Sequence, residues 1–190
     1  YLRDLIDCAY LIQDGRITRA FSRAAFSALS EAERVQMGLR TDYPERETVR
    51  AQKNSNTAVQ HTLTVESLGF AYKGGPPVLS RVSFEARSGE VVGVIGHNGA
   101  GKTTLLSLIT GLLKEQHGRI LFDGEALSVR QRRALSYLVL QDTDYQLFAA
   151  SVEEELSLGH RDDVSEKIER VLAELGLSDY RAVHPAALSG

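Results

Sequence analysis

The sequence predicts an α/β fold arranged around one glycine-rich turn, and three observations carry that prediction. EVVGVIG, residues 90–96, is a continuous apolar run of the kind expected of a strand buried on both faces. It leads straight into GHNGAG and then into KTTLLSLI, whose apolar and small residues suit a helix. On either side of this turn, strand patterns alternate with helical ones, which is the signature of helices packed on a sheet.

Composition bounds the function classes. The 190 residues are 43% apolar, enough to build a core. A net charge of −3 and a pI near 6.0 lack the basic footprint of a nucleic-acid binder, so no nucleic-acid partner is expected. Cys8 is the only cysteine, so no intrachain disulfide can form, and a reducing compartment is the natural setting. The opening YLRDLIDCAYLIQDGR mixes acid and base and does not read as a signal peptide. No apolar run approaches the ~20 residues that span a bilayer, so any membrane role must run through a partner.

In chain order, AYLI (9–12) reads as a short buried strand ended by the turn QDG, with RIT extended beyond it. Ser30 and Glu33 have capping-box spacing ahead of a helical stretch that Gly38 stops. Residues 39–61 lose apolar periodicity and gather charge, Asn, Thr and Pro, the composition of a linker. LTVESLGFAY and VLSRVSFEA follow as strands around the turn KGGPP. GRILFDG and LSYLVLQ are further short strands, and the polar EALSVRQRR connects them. Beyond residue 150 the pattern turns helical, with Ser151 and Glu154 as a second capping box. Val164, Ile168, Val171, Leu172 and Leu175 then form one apolar helix face, and Gly176 closes the helix.

Gly96, Gly101, Lys102 and Thr103 match G-x-x-x-x-G-K-[ST], with Gly99 as an extra glycine inside the loop. The backbone N–H groups of such a loop must point inward at phosphate oxygens, which demands positive φ and close approach. The helix N-terminus adds unpaired N–H groups and the positive end of its dipole. Asn98, Gly99 and Ala100 are therefore expected to line the cradle. Lys102 supplies a mobile charge for the β and γ phosphates, the Thr103 hydroxyl can ligate Mg²⁺, and Thr104 is positioned for the α phosphate. Hydrogen bonds to charged groups contribute ~1.5–3 kcal/mol each and one aromatic stack on a base ~1–3, so the several phosphate contacts should dominate the affinity for ATP.

GHNGAGKTT, with LTVESLGFAYKGGPPVL before it and the glutamine of LVLQDTDYQLF after it, resembles the nucleotide-binding domain of ABC ATPases. The resemblance covers residues 62–190 and implies a P-loop NTPase fold, here incomplete. It implies that Tyr72 stacks on adenine, with Phe70 a weaker candidate. It makes Gln141 the glutamine that touches Mg²⁺ or the attacking water; a rival reading makes Asp142 an acidic metal ligand. QDTDYQLFAASVEEEL is similar to the energy-coupling factor group, whose ATPases drive vitamin and transition-metal importers. Asp144, Tyr145, Gln146, Leu147 and Phe148 are then expected to face an integral membrane subunit. HPAALSG resembles the entry to the signature motif, in which Ser189 and Gly190 reach the γ-phosphate of an opposing ATPase domain in a head-to-tail dimer.

LIDCAYLIQDGRITRAFSRAAFSALSEAERVQMGLR is similar to the tail of another ABC domain. The expected organisation is the end of a first ABC ATPase domain (1–38), a linker (39–61) and the first part of a second domain (62–190), a tandem chain cut at both ends. An apolar strand ending in Asp-Glu is not present, so this stretch by itself is expected to bind ATP without hydrolysing it at a useful rate. The implied function is the ATPase subunit of an importer, peripheral on the cytoplasmic face of the cell membrane. The alternative is a soluble phosphate-loop NTPase or kinase, which would not co-purify with an integral membrane protein.

Overall fold

At the QDG turn the chain reverses through Asp14 and Gly15, both at positive φ (48° and 71°), the geometry that matches the twist of a two-residue hairpin. The turn joins β1 (Cys8–Gln13) to β2 (Arg16–Ser22) in antiparallel pairing. In the computed structural model, which describes residues 6–39, 61–141, 146–160 and 162–188, the chain forms two units, Tyr1–Leu138 and Val139–Gly190.

In the first unit β1 also pairs in parallel with β5 (Val92–Ile95), placing Cys8 opposite Val92 and Leu11 opposite Ile95. The sheet order is β2-β1-β5. The expectation of a loop strand buried on both faces is corrected here. All four residues of β5 are partly exposed, because among the described residues β1 is its single ladder partner.

A second sheet, antiparallel throughout, has the order β4-β3-β6-β7. Its strands are β3 (Thr62–Ala71), β4 (Pro77–Arg87), β6 (His117–Phe122) and β7 (Glu125–Ala126). The Ser80 N–H donates to the Gly15 carbonyl at 2.7 Å, which fixes the hairpin turn against β4. Ile12, Val65, Leu68, Leu79, Val82 and Ile120 bury their side chains together with Leu105 and Leu108 of α3 (Lys102–Ile109). Each such side chain contributes about 1.5–3 kcal/mol of transfer free energy, so this core anchors the helix that follows the glycine turn.

Phe26 of the short helix α1 (Arg23–Ser27) packs against a smaller cluster formed by Ile6, Ala9, Leu11, Phe21, Leu29 and Met37, and the last two flank a second short helix, α2 (Glu31–Gln36). The expected capping box is formed: Glu33 N–H donates to Ser30 Oγ at 3.3 Å and Ser30 N–H donates to the Glu33 carboxylate at 2.8 Å. Gly38, at φ 71°, ends the run.

One expectation fails around residues 125–141, and one element there goes unannounced. The polar connection contains a helix, α4 (Val129–Leu135), capped reciprocally by Ser128 and Gln131. LSYLVLQ forms no strand, and Tyr137 and Val139 are 96% and 78% exposed. Apolar, β-branched residues suit a strand, but a strand needs a ladder, and the described residues supply none there.

In the second unit α5 (Val152–Ser157) packs on α6 (Ser165–Glu174) through Val152, Ile168 and Leu172. The second capping box is half formed. Glu154 N–H donates to Ser151 Oγ at 3.2 Å, whereas the Glu154 carboxylate accepts from Ala150 N–H at 3.1 Å. Leu175, expected on the apolar face, is 65% exposed at the helix end. Among the described residues no helix is long and apolar enough to cross a membrane.

Arg132 of α4 is 1% exposed, and its guanidinium donates to the Glu115 carboxylate at 2.5 Å and to the Leu127 carbonyl at 3.4 Å. Burial pushes the Glu115 carboxyl up, yet the hydrogen bond and charge of Arg132 outweigh it and hold the group below its ordinary value of 4.5. A lowered folded pKa means stability present above the unfolded value and lost as pH falls through the folded one. Glu115→Ala strands the buried cation and should cost about 3 kcal/mol in urea denaturation. Adding Arg132→Met should recover most of that loss, and equal losses in the single and double variants would contradict the pairing. The wild-type advantage over Glu115→Ala should shrink as the pH is taken below 4.5.

Candidate functional site

The loop between β5 and α3 is shaped by three glycines at φ 151°, 84° and 99°, namely Gly96, Gly99 and Gly101. At Gly96 a β-carbon would stand 2.3 Å from the Ile12 carbonyl oxygen, and at Gly101 it would stand 2.8 Å from the Leu79 side chain. Gly99 has no atom within 4 Å of that position, so conformation alone selects its glycine. The loop is thus pressed against β1 and β4, with its outer side clear. Ala100 is buried in the main core and its N–H donates to the His97 carbonyl at 3.2 Å. Asn98 and Gly99 are exposed.

Gly101 adopts the left-handed conformation at the head of α3, with no side chain capping the helix. The first ladder bond runs from Leu105 N–H to the Gly101 carbonyl at 2.8 Å. The N–H groups before it have no intrahelical acceptor, and together with the helix dipole they form an anion-seeking end.

Lys102 Nζ donates to the Gly96 carbonyl at 2.7 Å and to the His97 carbonyl at 2.9 Å. The ammonium is therefore folded back over its own loop, held by groups with which phosphate oxygens must compete. The Thr103 residue is exposed, which leaves its hydroxyl open to a hard cation or to water. Thr104 is buried, and its Oγ1 lies 3.2 Å from the Tyr72 hydroxyl, either atom able to donate.

Tyr72 is 51% exposed and meets Phe70 edge-on, with ring centroids 5.1 Å apart and planes at 89°. Phe70 packs against the main core, which suits a core residue better than a base platform. Tyr72, the loop glycines, Lys102, Thr103 and Thr104 all belong to the first unit. A polyanion with an aromatic base fits this donor set: clear cradle, unpaired amides, one ammonium and one half-open ring.

Gln141 is exposed in the second unit. In that unit Gln146 Oε1 accepts from Leu140 N–H at 2.7 Å, and the Glu155 carboxylate accepts from Phe148 N–H and Ala149 N–H at 2.8 Å each. These bonds fasten the backbone of the loop while Phe148 stays 79% exposed. Asp142, Asp144, Tyr145, Ser189 and Gly190 lie outside the described residues. His184 caps the turn Pro185–Ala187 by accepting from Ala186 N–H at 3.2 Å, and Leu188 packs on the α5–α6 cluster.

Sequence reasoning missed Gln116, whose side-chain amide brackets Ala71, and the Arg132–Glu115 pair beneath α4. The one available signal was the S-x-x-Q spacing of Ser128 and Gln131, which announces a helix start.

The family model described as ABC transporter matches residues 79–190. A protein of Treponema denticola described as an ABC transporter ATP-binding protein is 37% identical over 194 aligned residues, covering all of this chain and 40% of its own length. The energy-coupling factor transporter ATP-binding protein EcfA1 of Streptococcus agalactiae is 35% identical over 67% of this chain and 50% of its own. Among solved structures, cbiO1 from Clostridium perfringens, part of the ABC transporter complex cbiONQ, aligns with a TM-score of 0.58 at 32% identity. That alignment covers 67% of this chain and 55% of cbiO1. The chain thus spans half or less of the length of these curated relatives. With the model running through the glycine loop and on to residue 190, and with relatives above 30% identity on both sides of it, the chain belongs to the ABC transporter family.

Proposed function

We propose that the chain is part of the ATP-binding, ATP-hydrolysing subunit of an importer of the energy-coupling factor kind, which powers uptake of a vitamin or a transition-metal ion. The observation that carries this reading is the loop: three positive-φ glycines with no room or no need for side chains, and Lys102 reaching over them. The likeness to EcfA1 and to cbiO1 supports the importer class.

In this reading ATP and water give ADP and phosphate. The transition state requires positioning and charge neutralisation more than covalent help. Loop amides hold the β-phosphate, Lys102 exchanges its two loop carbonyls for β and γ oxygens, and Thr104 approaches the α-phosphate. The Thr103 hydroxyl is the group that would hold Mg²⁺, which would supply charge neutralisation on the triphosphate when bound. Gln141 contributes to that metal or orients the water, and Ser189 and Gly190 serve the site of an opposing domain in a head-to-tail dimer.

Residues 1–38 are read as the end of a first ABC ATPase domain, 39–61 as a linker and 62–190 as the start of a second. An alignment that covers the whole chain within a relative more than twice as long supports this division. The subunit sits at the cytoplasmic face of the membrane, bound to an integral membrane partner. Phe148, an exposed aromatic on a loop fastened by Glu155, offers an apolar knob to that partner.

Lys102→Ala should weaken ATP binding at least about a hundredfold by calorimetry, since two charge-assisted contacts are lost. A variant that keeps a micromolar dissociation constant would overturn the loop assignment. Phe148→Asp should sharply reduce the integral membrane protein that co-purifies with the full-length subunit while ATP affinity stays within about twofold. Unchanged recovery of the membrane protein would remove Phe148 from the docking surface.

A further inference from the structure

The β3–β6 ladder ends at the pair Gly69 and His117, just before the segment that carries Tyr72. Gln116 lies one residue outside β6, and its own N–H donates to the Gly69 carbonyl at 3.3 Å. Its side chain then continues the ladder. Oε1 accepts from Ala71 N–H at 2.8 Å and Nε2 donates to the Ala71 carbonyl at 2.8 Å. A hydrogen-bonded antiparallel pair exchanges both of its N–H···O bonds, and here one primary amide supplies both halves of that exchange.

Ala71 immediately precedes Tyr72, so the clamp fixes the backbone from which the tyrosine ring projects. Phe70 meets that ring edge-on, and the hydroxyl lies 3.2 Å from Thr104 Oγ1 in the first turn of α3. The ring is therefore held at its root, its edge and its tip, yet half of the residue stays open to solvent. A platform ordered before its ligand arrives loses less freedom on binding than one that must be ordered by the ligand.

We propose that Gln116 is a positioning residue for a nucleoside triphosphate. Its amide locks Ala71 so that Tyr72 presents a fixed ring face to the base, and the Tyr72–Thr104 contact ties that ring to the helix that receives the phosphates. The proposal rests on the phosphate-loop reading above and deepens it, because it assigns recognition of the base to a residue outside the loop.

The test compares ATP with inorganic tripolyphosphate, which has the anionic chain without the base, by calorimetry on the full chain. Wild type should bind ATP more tightly than tripolyphosphate. Gln116→Ala should weaken ATP about three- to tenfold and leave tripolyphosphate within about twofold. In a Tyr72→Ala background the same substitution should cause no further loss of ATP affinity, since Gln116 acts through the ring. Tyr72→Phe, which keeps the ring and every ladder contact, should weaken ATP severalfold and spare tripolyphosphate. Parallel weakening of both ligands by Gln116→Ala, a further ATP loss in the Tyr72→Ala background, or an unaffected Tyr72→Phe would overturn the proposal. Equal wild-type affinity for the two ligands would also overturn it while leaving the loop assignment standing, whereas a wild type that binds neither would bring down both.

Discussion

Close approach of backbone to backbone is the constraint on which the site depends. The Ile12 carbonyl and the Val78–Leu79 stretch of β4 occupy the space that side chains at 96 and 101 would need, so the loop can turn there only as glycine. That contact has two consequences. It drives the inner side of the loop onto the core around Ile12, Leu79, Ala100 and Leu105, and it leaves Asn98, Gly99 and Thr103 exposed around the head of α3. An anion-binding end of a helix is weak when its donors move with solvent; here the donors are mounted on a packed core.

Lys102 donates to the Gly96 and His97 carbonyls, so a phosphate reaching it would exchange one set of partners for another. Only the difference between carbonyl and phosphate acceptors counts toward affinity, and that difference is favourable because phosphate oxygens carry charge. The neighbouring threonines have different surroundings. Thr103 is exposed, while Thr104 is buried against Tyr72, so one is free for a cation and the other couples the ring to the helix.

The glycine turn was legible in the sequence because each of its glycines meets a local requirement of conformation or space that few residue types satisfy. The same holds for the QDG hairpin turn and for the Ser30–Glu33 box, where short-range geometry decides. Features fixed by distant partners were not legible. The apolar content of LSYLVLQ suggested a strand, yet strand formation depends on a neighbour that residues 135–141 cannot specify alone. EVVGVIG has the composition of a doubly buried strand, although among the described residues its one ladder is with β1, from far earlier in the chain, and that pairing sets its exposure. The α4 helix hid in a polar run because its inward face is a single arginine, Arg132, paired with Glu115. Gln116 looked like any polar residue before a strand, and only the end of the β6 ladder gives its amide a task.

The amides at the loop and the head of α3, with Lys102, are the groups proposed to enclose a triphosphate. A crystal structure of the full chain with a non-hydrolysable ATP analogue tests this enclosure most directly. Phosphate oxygens are expected within hydrogen-bond distance of the Gly99, Gly101 and Thr103 amides, with the Lys102 ammonium moved off the Gly96 and His97 carbonyls. An analogue seated elsewhere, with Lys102 still on those two carbonyls, would contradict it.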